Sequence, residues 1–421
     1  MDGEVTIRKG FEYAKEAFAQ RGVDAESALL KADAVPVSMH CWQGDDVGGF
    51  DGADSLTGGI AVTGNHPGRA RNLEELQQDI RKALSLIPGT SKLNLHACYA
   101  VKNGKAVDRD AYTPREFAPW ADFAKEEGLG LDFNPTYFSH PMMDGNLSLS
   151  SPDETKRRFW VEHGKRCREI ALDFAQKLGR PCVVNFWMPD GIKDTCVNTP
   201  AFRERMTRSL DEIFGDKAGE GPAPSALESK LFGIGAESFT VVSHEYALCY
   251  ALTRGLIPTL DTGHFHPTET VSAKMTAVLG FFGRALLHLS RPVRWDSDHV
   301  TALDDELQRI MDEIVWNGLQ DQVAFGLDYF DGSVNRVAAW AIGMRNARKA
   351  LLSAFLAPSA DIRRAEEDGD TTKRLALLEE RKTLPLGAVW DYYCLTRGIP
   401  GDGRWTAEIA RYEKEVQSAR G

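Results

Sequence analysis

Three things are scarce in this sequence, and each scarcity excludes something. Cysteine is sparse: seven in 421 residues, at Cys41, Cys98, Cys167, Cys182, Cys196, Cys249 and Cys394. They are scattered, odd in number and form no CxxC pair. That excludes a disulfide framework or a thiolate zinc site and matches a reducing compartment. Long apolar runs are lacking too. No stretch approaches the ~20 residues of a membrane span. The N-terminal MDGEVTIRKGFEYAKEAF has an amphipathic helical pattern where a signal core would be, so a cytoplasmic protein is expected. Positive charge is outnumbered, with 50 Lys and Arg against 61 Asp and Glu, a net of -11. Nucleic-acid backbones and anionic membranes reward clustered Lys and Arg, so neither is the expected partner. A soluble enzyme acting on a small neutral or cationic molecule fits this balance.

What is present is enough apolar residue, 43%, for a large core. Eight short apolar, β-branched segments read as buried parallel strands. They are Val35–Trp42, Lys92–Tyr99, Leu129–Asn134, Cys182–Trp187, Ala226–Ile234, Leu256–Asp261, Ala285–Ser290 and Val323–Phe330. Charged stretches with helical spacing lie between them, among them Asn72–Ile87, Ser151–Leu178 and Asp304–Trp316. Strand-helix alternation repeated eight times predicts a (β/α)₈ TIM barrel, an α/β fold. The barrel is expected over 35–352, after an N-terminal helical segment (1–34) and before a charged C-terminal helical extension (353–421). From Gly44 to Gly68 the chain carries eight glycines and little periodicity. A loop of that length reads as a mobile flap after the first strand, or equally as a surface insertion.

A barrel demands functional side chains at the C-terminal ends of its strands. The polar residues of the strand-like runs gather there. The sixth segment passes into Asp261, His264 and His266, and the seventh into His288, Asp296, Asp298 and His299. Glu228 and Lys230 in the fifth share one strand face by period-two alternation, and the eighth leads to Asp331 and Ser333. Any one of these has a plain alternative. A buried imidazole is usually a core residue, and DxxH and DxD recur by chance. Their joint occurrence on consecutive strand ends is what points to a site.

Carboxylates with some imidazole and no thiolate favour Mn²⁺, Mg²⁺ or Co²⁺ over a structural zinc. The ligands suffice for two ions. One set is Glu228, Asp261, His288 and Asp331, and the other is His264, Asp296 and Asp298, a partition that the sequence does not fix. His266 and His299 read as structural or supporting residues, and Cys41 and Cys98 as small buried apolar ones. His40 and Asp45, on the rim after the first strand, have no assigned role.

The motifs VSMHCWQGDD (Val37–Asp46), LNLHA (Leu93–Ala97), LGLDFNP (Leu129–Pro135), ESKLFGIGAES (Glu228–Ser238), GHFHPTE (Gly263–Glu269) and SRPVRWDSDHV (Ser290–Val300) resemble those of bacterial L-rhamnose isomerases, in the same order and over nearly the whole chain. The resemblance implies a homotetrameric (β/α)₈ enzyme that interconverts L-rhamnose and L-rhamnulose with divalent metal, typically Mn²⁺ (Co²⁺, Mg²⁺ or Zn²⁺ being alternatives at one position). It assigns the catalytic ion to His264, Asp296 and Asp298. The structural ion goes to Glu228, Asp261, His288 and Asp331, with Asp328 the competitor for the last place. Lys230, His96 and Asp331 would serve catalysis, His96 also helping to open the sugar ring. Trp187 and Phe138 would wall the sugar, with Ser333 beside it.

An aldose-ketose isomerase works either through an enediol, with a base, or by a metal-mediated 1,2-hydride shift. Two ions, one Lys and no isolated Glu favour the second. The Gly-rich segment would then close over the sugar or reach a neighbouring site. Two rivals remain: a metal-dependent, phosphoesterase-like hydrolase on the same barrel, and a non-catalytic sugar-binding protein.

Overall fold

The computed structural model describes residues 2–52, 56–215, 218–266, 268–293 and 299–420. Two helices, α1 (Asp2–Ala19) and α2 (Ala25–Ala34), lead into β1 (Val37–His40). Then strand and helix alternate: α3 (Leu73–Leu84), β2 (Ser91–His96), α4 (Ala118–Glu126), β3 (Gly130–Asn134), α5 (Glu154–Leu178), β4 (Val184–Phe186), α6 (Thr199–Phe214), β5 (Ser225–Glu228), α7 (His244–Arg254), β6 (Ile257–Asp261), α8 (Ser272–Phe282), β7 (Ala285–Leu289), α9 (Asp305–Trp316), β8 (Val323–Leu327) and α10 (Arg336–Phe355). Each strand pairs in parallel with its sequence neighbours, and β1 closes on β8. The expected barrel is therefore the fold.

The helices start where the sequence supplies acceptors for their first N–H groups. Asn72 caps α3, Asp153 caps α5, Ser243 caps α7 and Asp304 caps α9. Gly255, at φ 67°, ends α7 in the left-handed conformation that a Cβ would penalise. Outward strand residues such as Leu93, Leu131 and Leu287 join the main core beneath the helices.

Inside the barrel, period-two alternation builds two zones. Val183, Ala226, Ile257 and Leu286 form a separate buried apolar cluster. Ala226 is two residues below Glu228, Ile257 four below Asp261, and Leu286 two below His288, on the same faces. This apolar floor keeps the strand-end polar groups above it off water on that side. Polar pairs fill the rest: Asn134 donates to Asn94 at 2.6 Å and Thr259 to Asn185 at 2.7 Å.

The fifth strand is shorter than expected. It stops at Glu228, and the chain from Ser229 to Ser238 turns away with Lys230 N–H donating to Val242 O. The ladder to β6 ends at the Glu228–Thr259 pair, before the apolar run does. Lys230 therefore lies in a loop, not on the strand face shared with Glu228.

After α10 come α11 (Ser359–Glu367), α12 (Thr371–Glu380), α13 (Leu386–Thr396) and α14 (Arg404–Glu415). They pack back on the barrel helices. Arg381 is paired with buried Asp312 of α9, and Tyr412 donates to Asp79 of α3 at 2.6 Å. The two ends of the chain meet: Phe11 of α1 stacks on Tyr392 of α13 at 3.8 Å, over a small core that includes Trp390 and Leu352. No helix among the described residues is long and apolar enough to cross a membrane.

Candidate active site

Four strand ends bring together one group of candidate metal ligands. Glu228 closes β5 and Asp261 closes β6, which lies directly opposite His288 of β7 in the sheet register. Asp328 is the first residue beyond β8. One ligand atom from each of the four lies within 4.8 Å of the others. His288 Nδ1 is the hub: it is 3.1 Å from Asp328 Oδ2, 3.4 Å from Glu228 Oε2 and 3.8 Å from Asp261 Oδ2.

The expected fourth carboxylate, Asp331, is not in this group. By alternation from Ala324 and Gly326, Asp328 continues the inward face of β8, whereas Asp331 has opposite parity and sits in the following turn. There its carboxylate accepts Ser333 N–H at 2.9 Å and the Ser333 hydroxyl at 2.5 Å. Ser333 is exposed and does not line the cavity. Asp331 and Ser333 thus satisfy each other outside the site. Gly326 lets His288 take its place, since a Cβ there would lie 3.3 Å from the ring.

The donor set fits a divalent cation. Three carboxylates face one imidazole in a water-poor setting, so negative charge is left over even with that imidazole protonated, an arrangement that is costly without a cation. Burial opposes charge on His288, yet Glu228 and Asp328 raise its pKa well above the usual value. Burial likewise opposes the carboxylates' charge, and His288 holds both below their usual range. Oxygen and imidazole donors without thiolate suit Mn²⁺, Mg²⁺ or Co²⁺.

His264 borders the same group from the loop after β6. Its Nδ1 is 3.2 Å from Glu228 Oε1, the oxygen turned away from His288. Glu228 thus stands between two imidazoles, and Asn185 of the β4 strand donates to its Oε2 at 2.5 Å. Asp296 and Asp298, assigned with His264, lie outside the described residues. His266 is exposed and bonded to Thr268 at 2.8 Å, away from the cavity.

A cavity opens over these ligands. Its wall is aromatic. Trp42 meets His96 edge-on at 4.8 Å, His96 meets Phe138 at 5.5 Å, and Phe138 meets Trp187 at 6.0 Å. The Lys230 ammonium lies 4.9 Å from the Trp187 ring centre, with its side chain buried. Ile60, Val47 and Phe330 add apolar surface. His96 Nδ1 is 3.2 Å from the Thr136 hydroxyl, and burial lowers the ring's pKa to about 4, so it is neutral at pH 7.

The Gly-rich segment forms part of this wall, with Gly58, Gly59 and Ile60 facing the cavity. It is tied down on both sides. Asp46 pairs with Arg336, Asp51 with buried Arg109 at 2.7 Å, and Thr57 exchanges hydrogen bonds with Ser139. Arg109 also donates to the carbonyls of Thr136 and Phe138, so one guanidinium joins this segment to the aromatic wall. Asp45 accepts the Tyr99 hydroxyl at 2.6 Å and Gly49 N–H at 2.8 Å, an anchor and not a ligand. His40 is wholly buried against Tyr329.

The family model for L-rhamnose isomerase matches residues 5–420. The chain belongs to the L-rhamnose isomerase family. It is 51% identical over 416 residues to the L-rhamnose isomerase of Escherichia coli O127:H6, covering 99% of each chain. To that of Cronobacter sakazakii it is 52% identical over 415 residues, covering 98% of this chain and 99% of the other. Among solved structures, an L-ribulose 3-epimerase aligns with a TM-score of 0.50 at 12% identity, over 79% of this chain and 96% of the other, a likeness of fold. Family membership over the full barrel disfavours the hydrolase and the non-catalytic binding protein.

Sequence reasoning passed over Trp42, Asn185 and Thr259. Asn185 carried a readable signal, a polar residue inside the apolar run CVVNFW. Thr259 carried the same signal within LIPTLD, whereas Trp42 carried none, because its partner Asp328 is distant in the chain.

Proposed function

We propose that the chain interconverts the aldose L-rhamnose and the ketose L-rhamnulose, the first step of rhamnose breakdown. The observation that carries this is the cation-ligand group opening directly into an aromatic-walled cavity that also holds Lys230. Glu228, Asp261, His288 and Asp328 would hold one ion, and His264 with Asp296 and Asp298 a second. The reading takes both as Mn²⁺, with Co²⁺, Mg²⁺ or Zn²⁺ the alternatives at one position. When bound, such ions supply Lewis-acid polarisation of sugar oxygens.

The chain's own residues do the rest. The Thr136 hydroxyl oxygen accepts Cys98 N–H at 3.1 Å and has His96 Nδ1 as the partner for its own proton. That leaves His96 Nε2–H to donate to the ring oxygen of the sugar as the ring opens. Lys230 brings fixed positive charge to the oxygens where negative charge develops. Trp187 and Phe138 receive the C–H faces of the sugar and exclude water. Hydrogen then passes from C2 to C1 with its electron pair while a proton moves from O2 to O1, so the two isomers balance.

The quaternary reading is a homotetramer in the cytoplasm, acting on a small sugar, with no nucleic acid or membrane as partner. The test of function is metal-stripped protein, refilled with Mn²⁺ and offered L-rhamnose and a panel of other aldoses. Metal-dependent ketose from L-rhamnose is expected, and its absence from every aldose would overturn the reading. In deuterated water, retention of the C2 hydrogen is expected. Its complete exchange would replace direct transfer with an enediol.

A further inference from the structure

Outside the ligand group, one imidazole is held at both ring nitrogens and joins two of the loops that build the site. His244 opens α7. Its Nε2 lies 2.7 Å from the backbone carbonyl of His264, and its Nδ1 lies 2.7 Å from the hydroxyl of Ser229. Ser229 sits between Glu228 and Lys230. The two contacts therefore span the loop after β5 and the loop after β6.

The hydrogen-bond directions follow from chemistry. A carbonyl only accepts, so Nε2 carries the proton. In the neutral ring Nδ1 then has none, and the Ser229 hydroxyl donates to it. The ring also stacks on Phe265 at 4.1 Å and 11°, and Lys274 covers the other ring of that pair at 4.8 Å. His244 is thus fixed in plane, in tautomer and in depth.

The loop it grips is fixed at its near end: the Thr262 hydroxyl donates to Ser290 O at 2.9 Å and accepts Ser290 N–H at 2.8 Å, and His264 N–H donates to Asp261 O at 3.2 Å. Thr262 N–H donates to His288 O, and Gly263 N–H to Asp261 Oδ1 at 2.6 Å. Beyond that point, the carbonyl of His264 is the acceptor that orients the peptide leaving His264, and so the direction of its side chain toward Glu228.

We infer that His244 is a positioning residue for the second ion: it fixes the His264 imidazole against Glu228 by clamping the His264 carbonyl to Ser229. This rests on the reading of His264 as a ligand. The ion group of Glu228, Asp261, His288 and Asp328 does not depend on the clamp, because the first three are strand ends set by the sheet register and Asp328 is held by Trp42. Removing the clamp acts on one ion and spares the other. Outer partners of ligands typically change metal affinity by about 10- to 100-fold.

The test is titration of metal-stripped protein with Mn²⁺, followed by calorimetry, which resolves binding equivalents without any turnover. His244→Phe keeps the ring and its stacking but donates nothing, while His244→Gln keeps a donor near the position of Nε2. The expected result is two equivalents in the unmodified protein. In His244→Phe one of them should weaken by about 10- to 100-fold with the other unchanged, and His244→Gln should recover most of the loss. His264→Ala is the control for the underlying reading. If His264→Ala keeps both equivalents at full affinity, His264 is not a ligand and that reading fails. If His264→Ala loses one equivalent while folded His244→Phe keeps both, the positioning role alone is overturned. If His244→Phe weakens both equally, or His244→Gln fails to recover, the clamp is a general structural contact and the inference also falls.

Discussion

The indole of Trp42 donates to Asp328 Oδ1 at 3.1 Å across a separation of 286 residues, leaving Oδ2 turned to His288 Nδ1. Trp42, two residues beyond β1, thereby orients the candidate ligand just beyond β8, where the barrel closes. Carboxylate ligands held by an outer donor bind metal more tightly than free-swinging ones. Trp42→Phe should weaken Mn²⁺ binding by about 10-fold or more, and Asp328→Asn should abolish that equivalent. Asp331→Asn should leave both binding events at their original affinity. Calorimetric titration of metal-stripped protein checks all three, and loss of an equivalent in Asp331→Asn with retention in Asp328→Asn would reverse the assignment.

Lys230 is buried beside Trp187 within the cavity. Removal of a positive charge aimed at developing oxyanions typically costs about 10²- to 10³-fold in rate. Lys230→Met is expected to lower kcat by about that factor with KM changed far less. Steady-state assay with L-rhamnose decides it. A rise in KM at constant kcat would make Lys230 a binding residue only.

Gly58, at φ 77°, packs where a Cβ would fall 2.9 Å from Pro189 Cβ and 3.1 Å from Phe138 Cβ. Both the backbone and the space exclude a side chain. Gly58→Ala should displace the Gly-rich segment from the aromatic wall. The expected readout is a raised KM for L-rhamnose with both Mn²⁺ equivalents retained. An unchanged KM would remove this segment from substrate contact.

His163 supplies one part of the pH dependence of stability. It is fully buried, accepting Thr136 N–H at 2.9 Å on Nε2, with Nδ1 3.0 Å from the Arg109 carbonyl. Burial, then the Arg109 charge, pushes its pKa down to about 3. The unfolded chain, with a pKa near 6.5, therefore binds the proton first. Stability is full above about pH 6.5 and declines as pH falls toward 3. At pH 5.5 the loss from this one residue is about 1.4 kcal/mol. His163→Gln has no group that titrates in this range. Urea unfolding at pH 7.5 and 5.5 should show a smaller acid loss in the variant by about that amount. Equal losses in the two proteins would rule His163 out.

Much of the fold was legible because a barrel writes itself locally. Each strand is an apolar run, and each helix has its own cap and spacing, so the alternation survives errors of a few residues at every boundary. The fifth strand shows the limit. Leu231, Phe232 and Ile234 extend the apolar pattern, but the ladder ends at Glu228, where Lys230 N–H turns to the distant carbonyl of Val242, a partner that local pattern does not show.

By itself the sequence determined the strand order, the family motifs and the placement of Glu228, Asp261, His264 and His288 at consecutive strand ends, since these follow from local pattern and chain order. Tertiary structure decided the rest. Asp328 prevails over Asp331 because the parity of β8 fixes which side of the sheet a residue faces, and parity is known only once the inward face is. Trp42 matters because barrel closure sets it against Asp328, and His244 because α7 packs across the loops after β5 and β6. Hydrogen bonds act over about 3 Å of space whatever the separation in sequence, so no local pattern could have announced them.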